Sequence, residues 1–135
     1  MKPHKDRFIA ALLAFFLGGL GAHRFYLGSV RWWWYAGWLI IGMALFAALA
    51  TKATTWILVF ALLPVWLGCV EAMAFGVMPD EKWDARFNEG SGKHSENGWN
   101  CVLIAIMSLL VGTTIFMTTA ILAAQFYYEA GSGLS

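Results

Sequence analysis

The chain has 135 residues, 60% of them apolar, 16% aromatic and only 13% charged, whereas an ordinary soluble domain carries about 25% charged residues. Between Phe8 and Met78 the only charged side chains are Arg24, Arg31, Lys52 and Glu71, and from Cys101 to Tyr128 there are none. Too little polar surface remains to clothe a water-soluble fold, which excludes a cytosolic enzyme and an extracellular domain. The net charge of +1 excludes the clustered basic face that a nucleic-acid partner would require.

A bilayer's hydrocarbon core is about 30 Å thick, so a crossing helix needs roughly 20 apolar residues at about 1.5 Å each. The first candidate, Phe8 to Ala22, supplies only 15. To span, it would have to continue through His23 and Arg24 to Gly28, with Arg24 snorkelling its guanidinium to the interface. Residues 1 to 22 also read as a signal peptide, because Lys2, Lys5 and Arg7 precede a short apolar region that ends in small residues. Trp32 to Ala50 has 19 residues and is expected to cross, with Trp32, Trp33, Trp34 and Tyr35 at headgroup level. Trp56 to Met78 has 23, but Pro64 removes a backbone donor and Glu71 places a carboxyl in its second half, so a kink or break is expected. Cys101 to Ala124 is 24 uncharged residues and crosses, anchored by Trp99 before it and Tyr127 and Tyr128 after it.

Between the last two stretches, Pro79-Asp80-Glu81 is a good helix start, with proline at the first position and acids in the first turn. Trp83 and Phe87, four residues apart, share a face that suits a short interfacial helix on the membrane surface. Glu89 to Gly98 reads as a polar, glycine-rich tether. Its Gly92-Lys93 does not make a phosphate loop, since that frame would need glycine at Phe87 and a hydroxyl at His94. Residues 130–135 read as an uncharged, flexible linker of the kind that expression vectors also add.

The expected fold is therefore an all-α integral membrane protein, a compact bundle of three to four membrane helices with a short interfacial helix in its soluble loop. Four full crossings would put four basic residues on the N-terminal side against five on the other, which decides nothing. If the third stretch turns back at Pro64, the split becomes seven against Arg24 and Arg31 alone, and the excess marks the cytoplasmic side. Either count leaves three against four crossings open. A cytoplasmic N-terminus, with the Asp80 to Asn97 loop on the same side, is favoured. Helices in lipid gain little by burying Leu against Leu, so small residues that let backbones approach take over as the packing device. Ala10, Ala14, Gly18 and Ala22 make one such stripe, Gly68, Ala72 and Gly76 a second, and Ser108 with Gly112 begins a third. Cys69 and Cys101 sit in apolar runs, where thiols behave as small hydrophobes, and they imply no disulfide framework.

Gly18-Gly19-Leu20-Gly21-Ala22-His23-Arg24-Phe25-Tyr26-Leu27-Gly28 resembles the signature of the two-transmembrane-domain family, in which an apolar helix ends in a glycine-rich turn followed by H/D-R-F-Y-L-G. Pro64 with Glu71, then Asp80 to Asn88 as a D-E-x-W-D-x-R-[YF]-N tail, are similar to its bacterial branch, often labelled NINE proteins. The resemblance implies a two-transmembrane-type domain over residues 5–88 of a multi-pass protein in the bacterial cytoplasmic (inner) membrane. Residues 89–98 then form the tether and 99–129 an additional C-terminal transmembrane helix. Two departures stand out. Trp32 to Thr55 is long enough for a complete extra helix, and the helix from Asn100 to Tyr128 lies beyond the family's usual core. The family has no established enzymatic reaction, and its members are linked to signalling and protein interaction.

A carboxyl inside an apolar segment is costly unless it is paired, neutral or facing a wet cavity. Glu71 is therefore the leading candidate site residue, and Arg24 and His23 are its expected partners in an intramembrane polar clamp. The alternative is a proton or cation site. No G-x-S-x-G elbow, H-E-x-x-H helix or zinc-ligand spacing occurs, so no catalytic, metal or cofactor residues are proposed. Thr113, Thr114, Thr118 and Thr119 could line a polar seam, although such hydroxyls more often bond their own backbone. The expected function is non-enzymatic: a scaffold, assembly factor or accessory subunit that binds other membrane proteins or itself within the lipid bilayer, with no nucleic acid and no small-molecule substrate. A small channel or transporter subunit using Glu71 and the threonine seam is the alternative.

Overall fold

The computed structural model describes residues 3–49, 54–96 and 98–131, and every regular element among them is helical. Helix α1 (Arg7–Leu17) starts at Asp6, whose side chain accepts the backbone N–H groups of Phe8 at 2.7 Å and Ile9 at 3.4 Å, satisfying two of the donors a helix start leaves open. The helix then tightens into a 3-10 turn, Gly18–Leu20, closed by Gly21 at φ 73°, a left-handed conformation open to glycine at no steric cost. Helix α2 (Ala22–Tyr26) runs back toward the start of α1. The Asp6 N–H donates to the Tyr26 hydroxyl at 2.8 Å and Lys5 Nζ donates to the Leu27 carbonyl. The first apolar stretch therefore does not continue through His23 and Arg24 to span. It is too short, and Gly21 reverses it into a hairpin.

Helix α3 (Trp33–Ala48) packs on this turn and then on α4 (Thr54–Ala61), with none of its residues buried. Helices α4 and α5 (Leu63–Val77) are separated by a single residue, Leu62. Pro64 falls in the first turn of α5, where its missing N–H is one the helix would leave unsatisfied anyway. The chain does not turn back at Pro64: Trp56–Val77 forms one apolar span of 22 residues, roughly 33 Å long. Helix α6 (Asp80–Phe87) and a loop lead to α7 (Trp99–Gly131), which holds a second apolar span, Trp99–Glu129. Helix α7 runs along α5 and on to α4. Residues 130 and 131 belong to this helix rather than to a tail; residues 132–135 lie outside the described residues, as do Lys2, Lys52 and Asn97.

Small residues set the spacing of the bundle. A Cβ built on Gly68 would lie 2.5 Å from the Gly18 Cα and 2.9 Å from the Ala14 carbonyl oxygen, so α1 and α5 touch backbone to backbone. Ala10, Ala14 and Ala72 are fully buried beside that contact, whereas Ala22, displaced by the turn, is half-buried. Gly76 meets Cys101 and Ala105 of α7, and Gly112 meets the Cys69 side chain at 3.0 Å. Gly18 sits level with Gly68 and Lys5 level with Trp83, so α1 and α5 are antiparallel.

Helix α6 closes the end of the bundle. Trp83 and Phe87 do share a face, but that face turns inward rather than to lipid. Trp83 is fully buried, edge-on to Phe75 at 5.6 Å, and its Nε1–H donates to the Lys5 carbonyl at 2.8 Å. An indole placed over the open end of α5 covers more apolar surface there than it would at the headgroups. Arg7 Nη2 pairs with Asp80 at 3.2 Å, joining the starts of α1 and α6.

Residues 89–96 are no loose tether. Asn88 accepts the Lys5 N–H at 2.7 Å and donates to the Lys5 carbonyl at 3.0 Å. Asp84 accepts the Ser95 N–H at 2.7 Å, the Ser95 hydroxyl at 2.5 Å and an Asn88 amide N–H at 2.8 Å. Burial pushes the Asp84 carboxyl up, but the bonds from Ser95 and Asn88, with His4 nearby, override it and hold it at about 2. A carboxyl held below its unfolded value of about 3.9 adds stability that is whole above about pH 4 and is lost as the pH falls toward 2. Backbone amide exchange at Ser95 should accordingly speed up across that acid window, and Asp84→Asn should speed it at neutral pH and flatten the dependence. Unchanged Ser95 protection down to pH 2 would remove Asp84 as the anchor.

Candidate functional site

Glu71 lies six residues from the Val77 end of its span and fifteen from the Trp56 end, roughly 9 Å and 22 Å along the helix. Three elements converge on it. The α1–α2 hairpin presents His23 and Arg24 side by side, and the first turn of α3 presents Tyr35. Arg24 forks onto the carboxylate, with Nη2 on Oε1 and Nε on Oε2 at 3.3 Å. His23 Nε2 contacts Oε2, and the Tyr35 hydroxyl donates to Oε1 at 3.1 Å. His23 is fully buried between the Tyr35 ring, edge-on at 5.6 Å, and the Phe75 ring at 6.2 Å. The Arg24 guanidinium also stands 5.9 Å from the Tyr35 ring centroid, within cation–π range.

Gly21 explains why the hairpin can deliver these groups. A Cβ there would lie 2.5 Å from the Trp32 carbonyl oxygen and 3.0 Å from Tyr35 Cβ, so only glycine allows α3 to start against the turn and bring Tyr35 to the acid. Tyr35 is the residue that sequence reasoning missed. It follows three tryptophans and reads as part of a headgroup belt; one-dimensional spacing holds no sign that the chain doubles back beside it.

Three protein side chains satisfy the carboxylate, and no nucleophile joins them. Of the α7 threonines, Thr114 donates to the Leu110 carbonyl at 2.8 Å and Thr119 to the Ile115 carbonyl at 2.9 Å, so these two hydroxyls bond their own helix. No group of three His, Cys, Asp or Glu among the described residues is arranged to hold a metal ion. The basic residues are segregated. Lys5, Arg7, Lys82, Arg86 and Lys93 lie at the α6 end, and the hairpin holds Arg24 and the loop after it Arg31. The described residues after Arg31 in α3, and those of α4 and the second half of α7, contain no Lys or Arg.

Residues 3–51 match the family model of the TM2 domain, a match that runs through the hairpin and into α3. A segment of 30 residues is 63% identical to an uncharacterised membrane protein, YozV, of Bacillus subtilis (strain 168). That segment is 22% of this chain and 38% of the relative's length. No solved structure matches. The glycine turn that aims His23 and Arg24 at Glu71 thus lies inside the region similar to the TM2 domain, in an all-helical membrane protein with two helices apolar and long enough to cross a bilayer.

Proposed function

We propose that this protein is a non-enzymatic interaction protein of the bacterial cytoplasmic membrane, a scaffold, assembly factor or accessory subunit that binds other membrane chains or itself through α3. The observation that carries the reading is that α3, an apolar helix of 16 residues, buries none of them. Gly37, Ile41, Ala44 and Ala48 line up at helical spacing on it, and a Cβ on Gly37 would meet nothing within 4 Å. Elsewhere the small residues at close contacts are already occupied. An open small-residue groove is the surface on which a second membrane helix gains most from close approach.

In this reading the Glu71–Arg24–His23 cluster is a clamp that holds the hairpin, α3 and α5 in one arrangement and so presents α3. The orientation puts the N-terminus and α6 in the cytoplasm, because every Lys and Arg among the described residues lies in the half of the bundle that α6 closes. The hairpin enters and returns on that side, which leaves three net crossings: α3, α4 with α5, and α7. A photo-crosslinking residue at Ala44 in native membranes should yield a discrete protein adduct, and one at Leu109 on α7 should yield lipid adducts. Lipid adducts alone at both positions would overturn the interaction role. A selective current in liposomes that Glu71→Gln abolishes would replace it with ion conduction.

A further inference from the structure

A cleft of about 540 Å³ opens beside the clamp, lined by Arg24, Ser29, Arg31, Trp34 and Tyr35. Its charge is unbalanced. Glu71 is already met by Arg24 and His23, and Arg31 has no carboxylate partner among the described residues. Arg24 leaves 41% of its side chain exposed even while forked onto Glu71. Helix α3 begins at the cleft with no side-chain cap and no acid in its first turn, so its positive end adds to the field. An arginine near membrane depth is costly without an anion.

A second cavity, about 220 Å³ and almost wholly apolar, continues from the first. It shares Trp34 and Tyr35 and runs on past Trp38, Leu63, Pro64 and Leu67. Trp38 is seven residues beyond Arg31, roughly 10 Å further along the chain's helical rise and away from the α6 end. The pair of cavities has the polarity of a lipid: a cationic pocket, then a greasy groove directed toward the middle of the bilayer.

We propose that Arg24, Arg31 and Ser29 bind the phosphate of an anionic phospholipid of the α6-side leaflet, with one acyl chain laid in the groove between α3 and α5. Guanidinium groups suit this task because their planar forks match phosphate oxygens, and the hydroxyl of Ser29 can donate a third bond. The aromatic rings of Trp34 and Tyr35 bracket the junction of headgroup and chain, where amphipathic rings are at home. This site goes beyond the interaction role and stands whether or not α3 has a protein partner.

The test uses the purified full chain in a neutral detergent. Phosphatidylglycerol, phosphatidylcholine of the same acyl chains and inorganic phosphate are each titrated, and binding is read by thermal stabilisation and by native mass spectrometry. Phosphatidylglycerol should bind at least about tenfold more tightly than phosphatidylcholine, whose phosphate is the same but whose choline cation is repelled by Arg24 and Arg31. Arg31→Gln, at an exposed position outside the clamp, should stay folded and lose that preference, whereas Lys93→Gln, an exposed cation at the same end, should keep it. Phosphatidylglycerol with brominated chains should quench tryptophan fluorescence, and less so in Trp38→Phe. Equal binding of the two lipids overturns the proposal, as does a preference that survives Arg31→Gln or falls equally in Lys93→Gln. Stabilisation by inorganic phosphate equal to that by phosphatidylglycerol would make the cleft an anion site and overturn the lipid.

Discussion

Gly68→Leu should leave little folded protein in detergent, and even Gly68→Ala should lower stability by at least the upper end of the about 1–3 kcal/mol that overpacking costs. The reason is what the added carbon would strike. It would lie 2.5 Å from Gly18 Cα and 2.9 Å from both the Gly18 carbonyl carbon and the Ala14 carbonyl oxygen. All three are backbone, so no rotamer change can relieve the contact. Gly18→Ala meets the same wall from the other side, 2.5 Å from Gly68 Cα. Either substitution would force the α1–α2 hairpin off α5 and pull His23 and Arg24 from Glu71. Gly37→Ala is the control. Nothing lies within 4 Å of its Cβ, and removing a mid-helix glycine should add about 0.5–1 kcal/mol. Thermal melts followed by tryptophan fluorescence would rank the variants, and equal melting of Gly68→Ala and wild type would refute the backbone contact.

Glu71→Ala should cost about 1–3 kcal/mol, because it removes the acceptor of the Arg24, His23 and Tyr35 bonds, and the 41% exposure of the Arg24 side chain keeps the loss below that of a fully buried pair. Glu71→Gln should cost less. Its amide oxygen can still accept one bond, but its NH₂ faces donors on three sides. The informative variant is the double one. Replacing a buried ion pair by apolar residues of similar volume is often close to neutral, so Glu71→Leu with Arg24→Leu should recover part of what Glu71→Leu alone loses. The positive coupling energy between the two positions would measure the clamp. Additive losses in that cycle would mean that the carboxylate and guanidinium act independently and that the hairpin is held by its glycines alone. The two sets of variants also separate two layers of the structure: Gly68 sets how close the hairpin comes, and Glu71 sets which way it faces.

Much of this architecture is legible in one dimension. The scarcity of charge and the lengths of the apolar runs are enough to call for helices in lipid, because a bilayer's thickness converts directly into a residue count. Small residues repeating every four positions mark helix faces on which backbones can close, and a lone carboxyl in an apolar run demands a partner wherever the chain goes. Direction in space is not written this way. Fifteen apolar residues ending in glycines are equally compatible with a strained crossing, a cleaved leader or a hairpin, and Gly21 at φ 73° selects the hairpin only because α3 and α5 are there to receive it. The same dependence hid Tyr35, which joins Glu71 through that reversal, and turned Trp83 from a surface anchor into a lid over Phe75. It also gathered Asp84, Asn88 and Ser95 into a folded loop out of residues that read as a tether. Composition and periodicity determined that the chain lives in a membrane as helices. Only the tertiary packing decided where it turns, since that choice rests on contacts between residues tens of positions apart, each too weak to register until the others have formed.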